Sequence, residues 1–258
     1  MRVLPPSRRA IVSTTVSALD QMIHKLSGRS ALTGEDKEAI LSLPHTIRSY
    51  HAATYVVREG EPPPNHCSFI RSGFAVRQKI TAQGARQIMS LHLVGDFIDL
   101  EHLFLNIADH NVQALTELEV VAIDRRALES LVLARPNIAR ALWIDALVDA
   151  SIYREWVTNV GRRAAPARIA HVLCEVALRM QAAGVSTNGG FELPLTQEQL
   201  ADAVGLTPVH VNRTLKALVA DGILHRDKRY ISFTDWNRTK EVADFNALYL
   251  HLEQAKPA

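Results

Sequence analysis

The segment from Leu195 to Arg213 constrains this chain more than any other part of it. Thr196 is followed three residues later by Gln199, the reciprocal pairing that closes a helix N-terminus. Thr207 followed by Pro208 marks a second start, because a hydroxyl there satisfies an orphan N–H and proline's missing N–H costs nothing at the first helical position. Gly205 between them permits a tight turn. Small Ala201 lets the two helices approach, and Leu206 and Val211 fill the angle of a crossing at about 90–120°. The chain is therefore bound to a helix-turn-helix at this point.

On the second of these helices Val211, Leu215 and Leu218 recur at i, i+4 and i+7 and form the buried face. Val209, Asn212, Arg213 and Lys216 then share another face, presented outward near the helix N-terminus. Their chemistry suits the major groove of duplex DNA: Arg213 can bond guanine O6 and N7, Asn212 can pair with adenine, and Val209 can pack on a thymine methyl. Thr196, Gln197, Thr207, His210 and Lys216 are placed for phosphate contact. Ile223-Leu224 and Tyr230–Phe233 read as two strands around His225–Arg229, a small wing with Arg226, Lys228 and Arg229 at its basic tip. The bland alternative for that tip is a solvated charged turn.

Charge is local. The whole chain carries only +2, whereas Gly205–Lys240 holds seven basic residues against three aspartates. A nucleic-acid surface must therefore come from clustering. At 258 residues, with 47% hydrophobic and 22% charged side chains, the length suits two domains. The two cysteines, Cys67 and Cys174, lie too far apart in sequence for a disulfide framework, which fits a reducing cytoplasm. Ser13, Thr14, Thr15 and Ser17 interrupt the apolar run after Arg8-Arg9, against an export signal. No stretch approaches the ~20 apolar residues of a membrane span, so no membrane partner is expected.

After an N-terminal extension over 1–18, residues Leu19–Leu43 read as two short helices. From His45 to Asp124 short β-rich runs are punctuated by Gly60, Gly73, Gly84 and Gly95, the texture of an antiparallel jelly roll. Within it, Gln87–Leu93 alternates, with Met89, Leu91 and Leu93 on one face and Ser90 and His92 on the other. Together these form a β-roll domain over 19–135. Pro136 then opens one helix to about Val160, apolar nearly all round. Such a helix needs cover on two sides, by the β domain and by the same helix of a second subunit, so a homodimer is expected, with Ile138, Leu142, Asp145, Asp149, Ile152 and Trp156 at its interface. A buried helix within a monomer is the alternative. Gly161 to Pro166 reads as the boundary to the winged helix-turn-helix over 161–236, and 237–258 as a C-terminal helix whose Phe245, Leu248, Tyr249 and Leu252 dock against the roll domain or the partner subunit.

The fold class expected is α+β. The order of roll, long helix, hinge, helix-turn-helix and wing, with Gly95-Asp96-Phe97-Ile98 and Val112-Gln113-Ala114 in the roll, resembles the Crp/Fnr family of bacterial transcription regulators over Leu19–Asp235. That resemblance implies homodimers on palindromic DNA, with RNA polymerase as a partner of any activator. The family's cyclic-nucleotide motifs are not kept: Asp99-Leu100-Glu101 stands for Gly-Glu-Leu, and Ala108-Asp109 for the Arg-Ser pair that meets phosphate, so a carboxylate faces an anion's place. The cysteines of iron–sulfur members are missing before Cys67. Haem remains open, since His45, His51, His66, His92, His102 and His110 lie in the roll half with no spacing that selects a pair. No cofactor and no metal ligand set is predicted, the small-molecule or redox effector is unidentified, and no nucleophile–base pairing points to an enzyme. A ligand-sensing regulatory subunit without DNA function is the competing reading, and a haem-based gas sensor a variant of the first.

Overall fold

A computed structural model describes residues 17–185 and 189–252. Helices α1 (Asp20–Ser27) and α2 (Gly34–Leu41) open the chain, α2 closed by a capping box between Thr33 and Asp36. The roll follows as two antiparallel sheets. In one, β1 (His45–Tyr50) and β3 (His66–Ser72) flank β7 (Leu118–Asp124); in the other the order is β2 (Tyr55–Val57), β6 (Asn111–Ala114), β4 (Ala75–Ile80), β5 (Arg86–His92). Ile70, Ile98, Val112, Leu118 and Val120 pack between the sheets. Gly73 is obligatory in its turn, because at φ 88° an added Cβ would fall on the carbonyl oxygen of Glu117.

The alternation read over Gln87–Leu93 is broken. Arg77 pairs with Ser90 and Gln78 with Ile88, leaving Met89 as the extra residue of a bulge. Ile88 and Leu91 are buried together with Ser90 and His92, and Met89 is only half-buried. Strand β5 has no solvent face to alternate with, because helices cover the side turned away from the roll.

Helix α3 (Arg125–Ala134) leads into α4 (Pro136–Arg162), begun by Pro136 as expected. α4 does not stop at Gly161. It runs through that exposed glycine, and the break falls at Arg163, whose backbone is extended (ψ 149°), before α5 (Ala165–Ala182) starts with Pro166 in its first turn. Ile138, Leu142, Asp145, Ile152 and Trp156, expected between subunits, are instead buried within the chain, and Asp149 is half-buried. α1 and the roll cover Ile138 and Leu142, and Ile152 and Trp156 join the core shared with α5. The large apolar residues that α4 leaves exposed are Trp143 (69%), Leu147 (51%) and Val157 (73%).

The reader unit adds β8 (Gly190–Glu192), α6 (Gln197–Val204), α7 (Pro208–Ala220), β9 (Leu224–Asp227) and β10 (Tyr230–Phe233), the strands in order β8-β10-β9. The single terminal helix expected over 237–258 is replaced by α8 (Trp236–Ala243), a left-handed break at Asp244 (φ 47°) and a 3-10 turn over Ala247–Leu250. Phe245 and Tyr249 dock inward, whereas Leu248 and Leu252 stay exposed. Most of the 1–18 extension, and 253–258, lie outside the described residues. Among the described residues no helix is long and apolar enough to cross a membrane.

Candidate nucleic-acid interface

Both helix starts form as their sequence requires. Thr196 accepts from the Gln199 N–H (3.1 Å) while the Gln199 side chain accepts from the Thr196 N–H (2.8 Å), and Thr207 accepts from the His210 N–H (3.2 Å). Gly205 ends α6 in the left-handed region (φ 64°), and Leu206 N–H returns to the Ala201 carbonyl, the closure that turns the chain into α7. Val211, Leu215 and Leu218 are buried, joined by Thr214. Val209 (80% exposed), Arg213 and Lys216 face solvent on one side of α7.

The remaining candidates divide. Asn212 is half-buried and donates to Gln197 Oε1 (2.9 Å), which ties these two side chains together across the turn. Thr196 and Thr207 have capping oxygens in use, and His210 is half-buried beside the second. In the wing, Tyr230 pairs with Asp227 and leaves a two-residue turn with Lys228 at φ 53° and exposed. Arg226 donates to the Lys228 carbonyl (2.9 Å) and stiffens that turn. Arg229 is exposed, and its guanidinium is bonded through Nε and Nη2 to the carbonyls of Leu193 and Pro194, fastening the wing to the strand before α6.

Several residues that hold this head had no signal in the sequence. Arg168 of α5 bridges the Arg163 carbonyl (2.7 Å) and the Val204 carbonyl at the end of α6 (3.1 Å), tying the break after α4 to the turn. Val160 of α4 abuts Gly205, where a Cβ would come within 3.0 Å of it. From the roll, Arg86 pairs with Asp202 (2.6 Å) and Gln87 donates to the Asp202 carbonyl (2.8 Å). Long-range pairs of this kind have no periodicity to read.

In the roll half Arg77 gathers several polar groups, while Ser68 Oγ, Gln78 Oε1 and both His102 ring nitrogens are buried without a hydrogen-bond partner among the described residues. Arg77 bonds Asp149 (3.1 Å), the Ile98 carbonyl (3.1 Å) and Glu101 (3.3 Å). Against the upward push of burial, the bond from His110 and the charge of Arg77 lower the Glu101 carboxyl to about 2. Asp99 is pushed up to about 7 by burial, only partly offset by the Ser68 N–H at 2.6 Å. An open groove of about 1660 Å³ runs between the roll and α4, with Arg77, Met89, Trp143, Asp149 and Tyr153 in its walls.

His45 and His51 are exposed, His66 half-buried and His92 buried against Ser90, while His102 and His110 stack with centroids 6.4 Å apart. Burial lowers the His66, His92 and His102 rings below the usual imidazole range. Among the described residues no group of three His, Cys, Asp or Glu side chains could hold a metal ion. Cys67 and Cys174 are buried free thiols that burial pushes up, Cys174 to about 12.

The profile of the Crp-like helix-turn-helix domain matches residues 167–241, and that of the cyclic nucleotide-binding domain residues 47–135. Over 200 residues the chain is 31% identical to the transcriptional activator protein FnrL of Cereibacter sphaeroides, spanning 76% of this chain and 79% of FnrL. The chain belongs to the Crp/Fnr family of transcription regulators. A probable transcriptional activator of Rhizobium leguminosarum bv. viciae is 26% identical, over 77% of this chain and 82% of its own length. Among solved structures, FixK2 from Bradyrhizobium japonicum superposes with a TM-score of 0.71 at 26% identity, covering 78% of this chain and 98% of that one. The Crp/Fnr assignment makes this a DNA-binding transcription regulator, with the α+β order of roll, long helix and winged helix-turn-helix that the sequence implied. The profile match gives the roll its likeness, not its ligand.

Proposed function

We propose that this Crp/Fnr regulator acts as a cytoplasmic homodimer that reads palindromic duplex DNA with its two α7 helices. The exposed face of Val209, Arg213 and Lys216, beside the projecting Lys228, carries the reading. It combines a guanine-reading fork, an apolar thymine contact and two phosphate cations on one surface. Pairing runs along Trp143, Leu147, Ala150, Arg154 and Val157, which alternate in steps of four and three along α4 as a coiled-coil seam does. Trp143, Leu147 and Val157 are the large apolar side chains that α4 leaves exposed, and their need for cover supports this seam. Two such heads meet half-sites about 34 Å apart, one turn of DNA.

A signal at the groove between roll and α4 adjusts DNA affinity, and cyclic AMP is not that signal. In support, Glu101 is engaged by Arg77 and His110, and the exposed Asp109 carboxylate lies against His110 at 2.6 Å, where a phosphate would need a cation. RNA polymerase is the further partner where the bound dimer activates. A mobility-shift selection from a palindromic pool at low salt tests the reading, with dimers followed by sedimentation. Enrichment of one symmetric sequence is expected. Binding without sequence preference at every salt concentration, or none, would overturn it.

A further inference from the structure

The chain continues past the wing into a segment with its own anchors. Asp235 caps α8 by accepting from the N–H groups of Asn237 and Arg238, and α8 ends where Asp244 turns left-handed. At that turn the Asp244 carboxylate and carbonyl each take a nitrogen of the Arg163 guanidinium, both at 3.1 Å. Arg163 is the residue whose extended backbone separates α4 from α5, and its side chain is also paired with Glu155 of α4 at 2.6 Å. The end of α8 therefore grips the hinge itself.

From there the segment folds back over the joint between the two halves. Phe245 and Tyr249 close on His171 of α5, with ring centroids 4.9 and 5.7 Å away. The Tyr249 hydroxyl donates to Glu175 (2.8 Å), which also accepts from Trp156 Nε1 of α4 (3.0 Å) and from Arg179 (3.1 Å). Arg179 reaches on to Asp96 in the roll (2.7 Å). Leu250 is buried, and the His251 carbonyl accepts from Arg29 beside α1 (3.2 Å). Alone, α8 is a two-turn helix, too short to hold its shape without these contacts. The segment and the joint stabilise each other.

We propose that Asp235–His251 is a strap that locks the hinge at Arg163 and holds the reading head in one orientation against α4 and the roll. With the strap in place α7 keeps its outward face exposed, as contact with DNA requires. The strap fixes the spacing of two heads in a dimer; that consequence, unlike the lock, rests on the DNA-reading proposal above.

The lock is tested on full-length protein with Asp244→Asn and Tyr249→Phe, alone and combined, and with a chain ended after Glu241. Asparagine tolerates the left-handed turn, so the first variant removes the charge and keeps the shape. Timed trypsin digestion of the native protein reads cleavage after Arg162 and Arg163. The double variant should be cut there at least about tenfold faster, the lower end of the change expected on losing one hydrogen bond to a charged group. Unchanged cleavage in the double variant overturns the strap even if the truncated chain unfolds. In the second arm, operators with spacers one base pair shorter and longer are compared with the matched site. Wild type should discriminate sharply and the double variant weakly; discrimination retained by a faster-cut variant overturns the orienting role. Should wild type bind no operator, the digestion still decides the lock.

Discussion

The reading head and the joint behind it use charged residues in opposite ways. On α7 and the wing, Arg213, Lys216 and Lys228 project into solvent. At the joint, Asp96 takes Lys25 (2.9 Å) and Arg179 (2.7 Å), while Asp145 takes Lys25 (3.1 Å) and Arg29 (3.1 Å), all with little exposure. Burial alone would raise the Asp96 carboxyl, yet Lys25 and Arg179 hold it below the usual carboxylate range. A surface proposed to meet a phosphate backbone keeps its side chains adaptable. A joint that must hold two domains in one register gives every charge a fixed partner, since an unpaired buried charge is costly.

The sharpest way to break this contrast is Arg179→Ala, which strands Glu175 without its cation and leaves Asp96 with Lys25 alone. It should cost about 3–5 kcal/mol of stability in denaturant unfolding. A loss below about 1 kcal/mol would show the joint to be hydrated and loose. By contrast Arg213→Ala should leave stability within about 0.5 kcal/mol of wild type. It should lower operator affinity by ~1–3 kcal/mol and relax preference at one guanine per half-site, read by competition mobility shifts. Equal loss on all sequences would move Arg213 to the phosphate-binding set.

Thr207→Ala removes the cap of the reading helix and should cost about 1 kcal/mol in stability. Lys228 and Arg229 separate the two uses of charge within one turn. Lys228→Ala should reduce the salt slope of DNA binding by about 1 with stability unchanged. Arg229→Ala should destabilise the domain and leave the salt slope alone, because its guanidinium holds Leu193 and Pro194.

The roll adds a test by pH. Burial raises Asp99 to about 7 in the folded chain, above the ordinary carboxyl value, so between about pH 4 and 7 the folded state binds the extra proton. Stability from this group is therefore full at the acid end of that window and falls as pH rises through it. Thermal unfolding should show that decline in wild type and a flatter profile in Asp99→Asn. An identical profile in the variant would mean that Asp99 is solvated.

Much of the reading head was legible before any coordinates. Thr196, Gly205, Thr207 and Pro208 are local signals whose geometry is fixed within a turn of each residue, and the burial of Val211, Leu215 and Leu218 follows from helical period alone. On α4 the same reasoning did not separate the side buried within the chain from the side left open. Apolar residues all round a helix say that it is covered twice, but not by what. The 4-3-4-3 steps of Trp143, Leu147, Ala150, Arg154 and Val157 were present to be read, yet could not be told from the buried side without knowing where α1 and the roll sit. The tie from Arg229 was illegible for a related reason, because its acceptors are carbonyls some 35 residues back in the chain.

What the sequence determined by itself were the order of elements, their caps and turns, and the chemistry offered by α7, all set by interactions within a few residues. Tertiary structure alone decided which face of α4 stays open, that the bulge at Met89 buries both sides of β5, and that the last residues return to hold Arg163. Those depend on contacts between segments far apart in the chain, where many partners have the right chemistry and only packing selects among them.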